Sequence, residues 1–194
     1  AAVADAIGDQ TTAVLLVNFQ NTAQPSLTKA TVQDLLFNQA NSYFNEISYG
    51  KTGFSGDIFG WYTIPINQTC NYILAQGAAV QAADLDVNFT QYSRLVIIAP
   101  FGPTCTFGGR SSLGKISVST SDGVAQMSVA SLLTSNFTLH TAGHELGHGL
   151  GVEHANFLNC GTVSSSSSGC MNVEYGNPYS IMGESAKMGH PDAF

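Results

Sequence analysis

Residues 144–154 have the sequence HELGHGLGVEH, which contains three histidines and a carboxylate. A residue four positions further along an α-helix lies about one turn away on the same face, so His144 and His148 can bind one ion. Gly151 can adopt the left-handed conformation that ends a helix, and His154 then reaches the ion from outside the helix. Three neutral imidazoles leave one zinc position open, which is typical of a catalytic site.

The alternative interpretation is that the HExxH string arose by chance in a helix that neither binds a metal nor takes part in catalysis. Three of the five histidines of the chain, however, occupy the three ligand positions. Gly151 and His154 extend the match to HExxHxxGxxH. We therefore interpret His144, His148 and His154 as ligands of one zinc ion, and Glu145 as the general base.

With this motif the chain resembles the metzincin clan of zinc endopeptidases. A second motif supports the resemblance, because residues 179–183 (YSIMG) follow His154 in the manner of a Met-turn, in which a methionine lies beneath the metal. The residues around Met182, together with residues 47–51 (ISYGK), are most similar to the gametolysin-type branch. The alternative is that Met182 is an ordinary core methionine.

One position departs from the pattern of the family. Astacin-like and serralysin-like metzincins have a tyrosine two residues after the methionine, whereas this chain has Glu184. The resemblance therefore does not imply a tyrosine that ligates zinc or stabilises the oxyanion. We expect Tyr175 and Tyr179 to pack the turn instead.

The resemblance implies an α+β fold of the metzincin (zincin-like) type. This fold has a twisted, mostly parallel sheet with helices in an upper subdomain, residues 1–151, and a small irregular lower subdomain, residues 152–194, that contains the Met-turn. The two subdomains would form one catalytic domain, a size that suits 194 residues.

The function that the resemblance implies is that of a secreted, monomeric zinc metalloendopeptidase, made as a zymogen, that hydrolyses extracellular proteins. A zinc-bound water would attack a peptide carbonyl of an extended substrate, with Glu145 as general base. The alternatives are a zinc-stabilised extracellular binding module with little or no activity and a zinc hydrolase that acts on non-peptide substrates. Glu145 argues against the binding module, because a metal anchor needs no base.

Composition bears on the class of partner and the compartment. Only 10% of the residues are charged, and the net charge is −7. We see no basic patch that would neutralise nucleic acid, and no apolar run approaches the ~18–20 residues that span a bilayer. Low charge is common in secreted proteins, and Ala1 reads as a processed amino terminus. We therefore predict secretion, with neither nucleic acid nor membrane as a partner.

The four cysteines allow three pairings, and no CxxC spacing supports zinc ligation. We favour a disulfide between Cys160 and Cys170 around the serine run at 164–168, and Cys70–Cys105 follows by elimination.

Three sequons make Asn67, Asn88 and Asn136 candidate glycosylation sites, if the source organism modifies them. Four acids in loop-like settings leave Ca²⁺ as an unsupported alternative, because no EF-hand spacing exists. These acids, which we interpret as surface residues, are Asp57, Asp84, Asp86 and Asp122.

Periodicity predicts the remaining elements. We expect strands at 12–19, 59–66 and 94–100, helices at 26–46 (with Ser26 as N-cap) and 71–83, and a connection at 101–114. Turn residues at 121–123 predict a hairpin of 115–120 with 124–129. The resemblance to metzincins implies an edge strand that binds extended substrate, and one of these two segments is the candidate. Asn136 or Thr138 would cap the metal-binding helix, which would extend to about Leu150.

Overall fold

The computed structural model describes residues 6–161, 170–184 and 188–191. The chain forms two compact units, Ala1–Gly151 and Val152–Phe194. The division falls after Gly151, where the sequence analysis also divided the chain. That these units are subdomains of one catalytic domain stays a prediction, and the serine run at 164–168 lies outside the described residues.

A sheet with strand order β2-β1-β3-β6-β4 forms the centre of the first unit, and β5 also pairs with β6. Strands β1, β2, β3 and β6 are parallel, whereas β4 and β5 are antiparallel to β6. The fold is therefore α+β with a mostly parallel sheet, as predicted. The strands are β1 (Gly8–Phe19), β2 (Thr52–Ile64), β3 (Arg94–Ala99), β4 (Gly109–Ser111), β5 (Ile116–Thr120) and β6 (Gly123–Leu133).

The central strands are the two that the sequence shows as continuous apolar runs. Ala13 to Val17 in β1 and Leu95 to Ala99 in β3 are completely or almost completely buried. Strands covered on both faces need no polar alternation, which explains this pattern. The predicted strands at 12–19 and 94–100 are confirmed, although β1 begins earlier, at Gly8.

The helices of the first unit are α1 (Lys29–Gln33), α2 (Asn41–Ile47), α3 (Tyr72–Ala83) and α4 (Leu139–Gly149). The predicted helix at 26–46 is wrong in two respects. Thr28, not Ser26, is the N-cap, because its backbone is extended and its hydroxyl accepts a hydrogen bond from the amide of Thr31. Residues Asp34–Ala40, between α1 and α2, form a π-helix.

Two predictions about the middle of the chain need correction. The predicted connection at 101–114 contains β4, which pairs antiparallel with β6 from Gly109 to Ser111. The hairpin of β5 and β6 is confirmed, with Thr120 opposite Gly123, but β6 continues to Leu133 and also pairs with β3. A strand of three residues is too short to show an alternation of apolar and polar side chains. Strand β4 is therefore recognisable only from its pairing with β6.

The second unit contains a small antiparallel pair of strands, β7 (Phe157–Asn159) and β8 (Met171–Val173), which the sequence analysis did not predict. A disulfide joins Cys160 and Cys170 next to this pair, and a second disulfide joins Cys70 and Cys105 in the first unit. These are the two pairs that the sequence analysis favours. None of the described helices is both long and apolar enough to cross a membrane.

Strand β4 lies directly against α4. A Cβ atom built on Gly109 would lie 2.5 Å from Cγ and 2.6 Å from Oε1 of Glu145. Real Cβ atoms essentially never approach other heavy atoms so closely, so a larger residue at position 109 would force β4 or the Glu145 side chain to shift. The absence of a side chain at position 109 therefore sets the spacing between this edge strand and Glu145.

We predict that Gly109→Ala lowers the free energy of unfolding by about 1–3 kcal/mol, because β4 or Glu145 must shift to admit the methyl group. Gly77→Ala is the matched control, since nothing lies within 4 Å of a Cβ at that position in α3. That change should raise stability by up to ~1 kcal/mol. Urea denaturation measures both effects, and an unaltered midpoint for Gly109→Ala would contradict the close packing.

Candidate metal centre

Helix α4 carries the first two candidate ligands, and its start is fixed by Thr138. The Thr138 hydroxyl oxygen accepts a hydrogen bond of 3.2 Å from the amide of Thr141. Of the two predicted caps, Thr138 is therefore the correct one, whereas Asn136 belongs to the preceding 3-10 turn. The helix buries Ala142 and Leu146, and it also buries Glu145, which is 6% exposed.

The C-terminal end of α4 is attached to the sheet by hydrogen bonds. The buried Arg94 donates from Nη1 to the carbonyl oxygen of Gly149 over 2.7 Å, and from Nε to Oε1 of Gln10 over 2.9 Å. The amide of Gly114 donates to the carbonyl oxygen of His148. A cation suits this position, because the last carbonyl groups of a helix carry partial negative charge.

Gly151 ends the helical stretch in the manner the sequence predicted. Its φ of 92° is in the left-handed region, and its amide donates to the carbonyl oxygen of His148 over 2.8 Å. A residue with a Cβ would be strained in this conformation. The predicted turn at Gly151 is therefore confirmed.

The three predicted ligands come together. His144, His148 and His154 each offer one nitrogen, and these nitrogens all lie within 4.8 Å of one another. The rings of His144 and His148 are 4.7 Å apart between centroids and nearly perpendicular. Three imidazoles fit Zn²⁺, although they also suit copper, iron and nickel ions. The donor set thus indicates a metal-binding site, and zinc as the metal belongs to the proposal below.

His154 has a carboxylate partner that the sequence analysis did not identify. Its Nδ1 lies 2.7 Å from Oε1 of Glu174, and the Tyr175 ring lies 3.8 Å from its ring between centroids. A carboxylate that accepts the Nδ1 proton fixes the tautomer and leaves the Nε2 lone pair for a metal. Glu174 and His154 are twenty positions apart, so no local spacing indicated this pair.

Met182 is completely buried within the second unit. Its carbonyl oxygen accepts a hydrogen bond of 2.9 Å from the amide of Ala155, the residue that follows His154. Its role as a Met-turn stays a prediction. Tyr175 packs on His154, but Tyr179 is 73% exposed, so the expectation that Tyr179 packs the turn is wrong.

The environment of Glu145 favours its neutral form. Burial raises the pKa of this carboxyl group to about 8, and the Arg110 guanidinium opposes part of the rise. A cation held by the neighbouring histidines would stabilise the carboxylate and lower this pKa again. The protonation state of Glu145 and the binding of a metal would therefore be coupled.

The remaining two histidines lie outside the triad. His140 is partly buried, with its ring 6.2 Å from the ring of His144, and the metal-binding group does not include it. His190 is exposed. The candidate metal site therefore consists of His144, His148 and His154.

The structure does not support a calcium site. Asp57 and Asp86 each accept a hydrogen bond from a tyrosine hydroxyl, and Asp84 accepts one from the amide of Ser121. Within the described residues, the group suited to a metal contains histidines and none of these acids. The side chains of Asn67, Asn88 and Asn136 are exposed, as glycan acceptors must be, and their glycosylation stays a prediction.

A separate cavity of about 540 Å³ lies between α3 and β5. Apolar side chains such as Val80, Leu95 and Val129 line it together with the carboxylate of Asp84. None of the three histidines borders this cavity, and it has no cluster of titratable groups. It is therefore not the candidate site for catalysis.

No protein-family model matches this sequence, and no curated protein matches it. Among solved structures, one described as "Structure of a chaperone-substrate complex" has a similar fold, with a TM-score of 0.55 and 94% of this chain covered. The two sequences are 14% identical, and the match covers 29% of that chain. At this identity the likeness shows the fold alone.

We predict that Glu174→Gln weakens zinc binding about 10- to 100-fold, because an amide orients the His154 ring less strongly than a carboxylate. Glu184→Gln is the matched control, since it neutralises an exposed carboxylate of the same unit, and among the described residues the carboxylate paired with His154 is that of Glu174. Competition with a zinc-sensitive dye measures both affinities. Equal affinity in the two variants would contradict the assignment of Glu174.

We also predict an effect of pH on the metal-free protein. The ordinary pKa of this carboxyl group is 4.5, so above that pH Glu145 is ionised in the unfolded chain. In the folded chain Glu145 keeps its proton up to a pH of about 8. The free energy of unfolding therefore falls as the pH rises between these two values. Glu145→Gln removes this penalty and should stabilise the protein at pH 8 by at most about 5 kcal/mol, at about 1.4 kcal/mol per pKa unit.

Calorimetry in the presence of a chelator checks this expectation. The advantage of Glu145→Gln should shrink toward zero near pH 4. Glu46→Gln, the same change at an exposed carboxyl group, is the control for the loss of one negative charge. A gain that is the same at both pH values would contradict the raised pKa as its cause.

Proposed function

We propose that this protein is a secreted zinc metalloendopeptidase of the metzincin type, most similar to the gametolysin branch. The observation that carries the proposal is the group of His144, His148 and His154 together with the buried carboxylate of Glu145. A site that only anchors a metal would need the histidines but not an acid buried at high energetic cost. The two disulfides support secretion, because such bonds persist in oxidising compartments.

The three histidines would hold the zinc ion, and Glu174 would orient the ring of His154. When bound, the ion supplies a Lewis acid that polarises the scissile carbonyl and makes water a nucleophile near neutral pH. Glu145 accepts a proton from the attacking water at a carboxylate oxygen. It then delivers this proton to the nitrogen of the departing amine.

Strand β5, within the predicted segment 115–120, pairs with β6 and is also an edge strand. We place the substrate on β4 instead, because Gly109 of β4 lies against Glu145. Residues 124–129 lie in β6, which has neighbours on both sides. Strand β4 is at the edge of the sheet, and within the described residues its strand partner is β6 alone. Since Gly109 of β4 faces Glu145, a peptide that adds to the free edge of β4 would extend past the catalytic carboxylate.

Two features of the fold support the metzincin assignment. The sheet is mostly parallel with an antiparallel edge strand, and the helix with both HExxH histidines packs against that strand. In the second unit, the backbone carbonyl oxygen of the buried Met182 accepts a hydrogen bond from the amide of Ala155, the residue after His154. These features agree with a Met-turn that supports the third ligand.

We predict that the zinc-loaded protein cleaves denatured protein substrates, and that 1,10-phenanthroline abolishes the cleavage. Glu145→Gln should reduce turnover by roughly 10²–10⁴-fold while zinc stays bound, because the variant loses its proton acceptor. His190→Gln, a change at an exposed histidine outside the triad, should keep both zinc and activity. The absence of any chelator-sensitive cleavage by the unaltered protein would favour a zinc-stabilised binding module.

A further inference from the structure

The side chain of Arg110 lies on the face of β4 that is turned away from α4. Gly109 faces Glu145 on α4, and successive residues of a strand point to opposite faces. The partner of Arg110 in β6 is Ser131, whose hydroxyl accepts a hydrogen bond from Gln76 of α3. Arg110 and α3 are therefore on the same face of the sheet.

An aromatic ring supports the guanidinium group of Arg110. Its central carbon lies 5.7 Å from the centroid of the Phe107 ring, a distance at which cation–π attraction operates. Phe107 in turn packs edge-on against Tyr72 and Phe101. Cation–π attraction acts on the charge of the guanidinium, and its N–H donors can still bind a carboxylate. Within the part of the chain described here, Arg110 forms no ion pair with a carboxylate.

We propose that Arg110 selects an acidic side chain in the substrate, on the segment that pairs with the free edge of β4. The inference rests on the proposed peptidase function. In a peptide added to β4, alternate side chains point to the α4 face, near Glu145, and to the α3 face, beside Arg110. Cross-strand neighbours have Cβ atoms about 4.5–5.5 Å apart, so an aspartate or glutamate there would be within reach of the guanidinium.

The charge of the whole protein makes this preference informative. A net charge of −7 repels acidic peptides in general, so an acidic preference at one position requires a local cation. Arg94, another arginine of this unit, is buried and bonded to Gln10 and Gly149. Arg110 is exposed and belongs to the strand next to Glu145, which makes it the residue suited to this role.

The test is the cleavage profile of the zinc-loaded full chain on a peptide library of known sequences. We expect aspartate and glutamate to exceed asparagine and glutamine about two- to fivefold at one position near the cleaved bond, the range for opposite charges across a strand pair. Arg110→Gln should abolish this enrichment, and Arg110→Lys should retain part of it. Arg110→Glu should shift the preference to lysine and arginine.

Lys51→Gln provides the matched control, because it makes the same change in charge at an exposed residue just before β2, the strand at the opposite edge of the sheet. Its profile should equal that of the unaltered protein. Cleavage without acidic enrichment, or enrichment that persists in Arg110→Gln, would overturn the role of Arg110 and leave the peptidase proposal intact. If the unaltered protein cleaves no peptide, both proposals fail.

Discussion

The buried guanidinium of Arg94 connects helix α4, which carries two candidate metal ligands, to the centre of the sheet. From β3 it donates to Gln10 on β1 and to the carbonyl oxygen of Gly149 at the end of α4. A buried charge without such partners would be costly, so the helix end and both central strands must keep this arrangement together. His148 and Gly151 lie within two residues of Gly149, and their positions depend on the same anchor.

Glycines let α4 approach the sheet closely. A Cβ on Gly149 would lie 2.7 Å from the hydroxyl oxygen of Ser128 in β6, and a Cβ on Gly109 would meet Glu145. This packing buries the Glu145 carboxyl group and raises its pKa to about 8. Helix α4 thus places Glu145, a carboxyl group with a raised pKa, next to His144, which would hold a cation. Metal binding and the ionisation of Glu145 should favour each other.

Much of the fold followed from sequence patterns that report burial or local geometry. The apolar runs of β1 and β3 identified central strands, and Thr138 and Gly151 marked the two ends of the helical stretch that carries His144 and His148. Patterns failed where the decisive partner is distant in sequence. Strand β2 begins at Thr52 because it pairs with β1 from Gly8 onward, and Gly56 admits the backbone of Thr12 at close range. The π-helix at Asp34–Ala40 keeps a helical pattern of apolar residues, which conceals its extra residue per turn.

The sequence alone identified the three candidate metal ligands and the acid beside them, because helical spacing and one glycine turn are local properties of a stretch of eleven residues. Only the tertiary structure decided how this stretch is supported. It supplied Glu174 for His154, brought β4 to Glu145 and placed Arg110 over Phe107 on the opposite face of that strand. Each of these contacts joins residues that come together only when the chain folds. The spacing of residues along the sequence therefore could not predict these contacts.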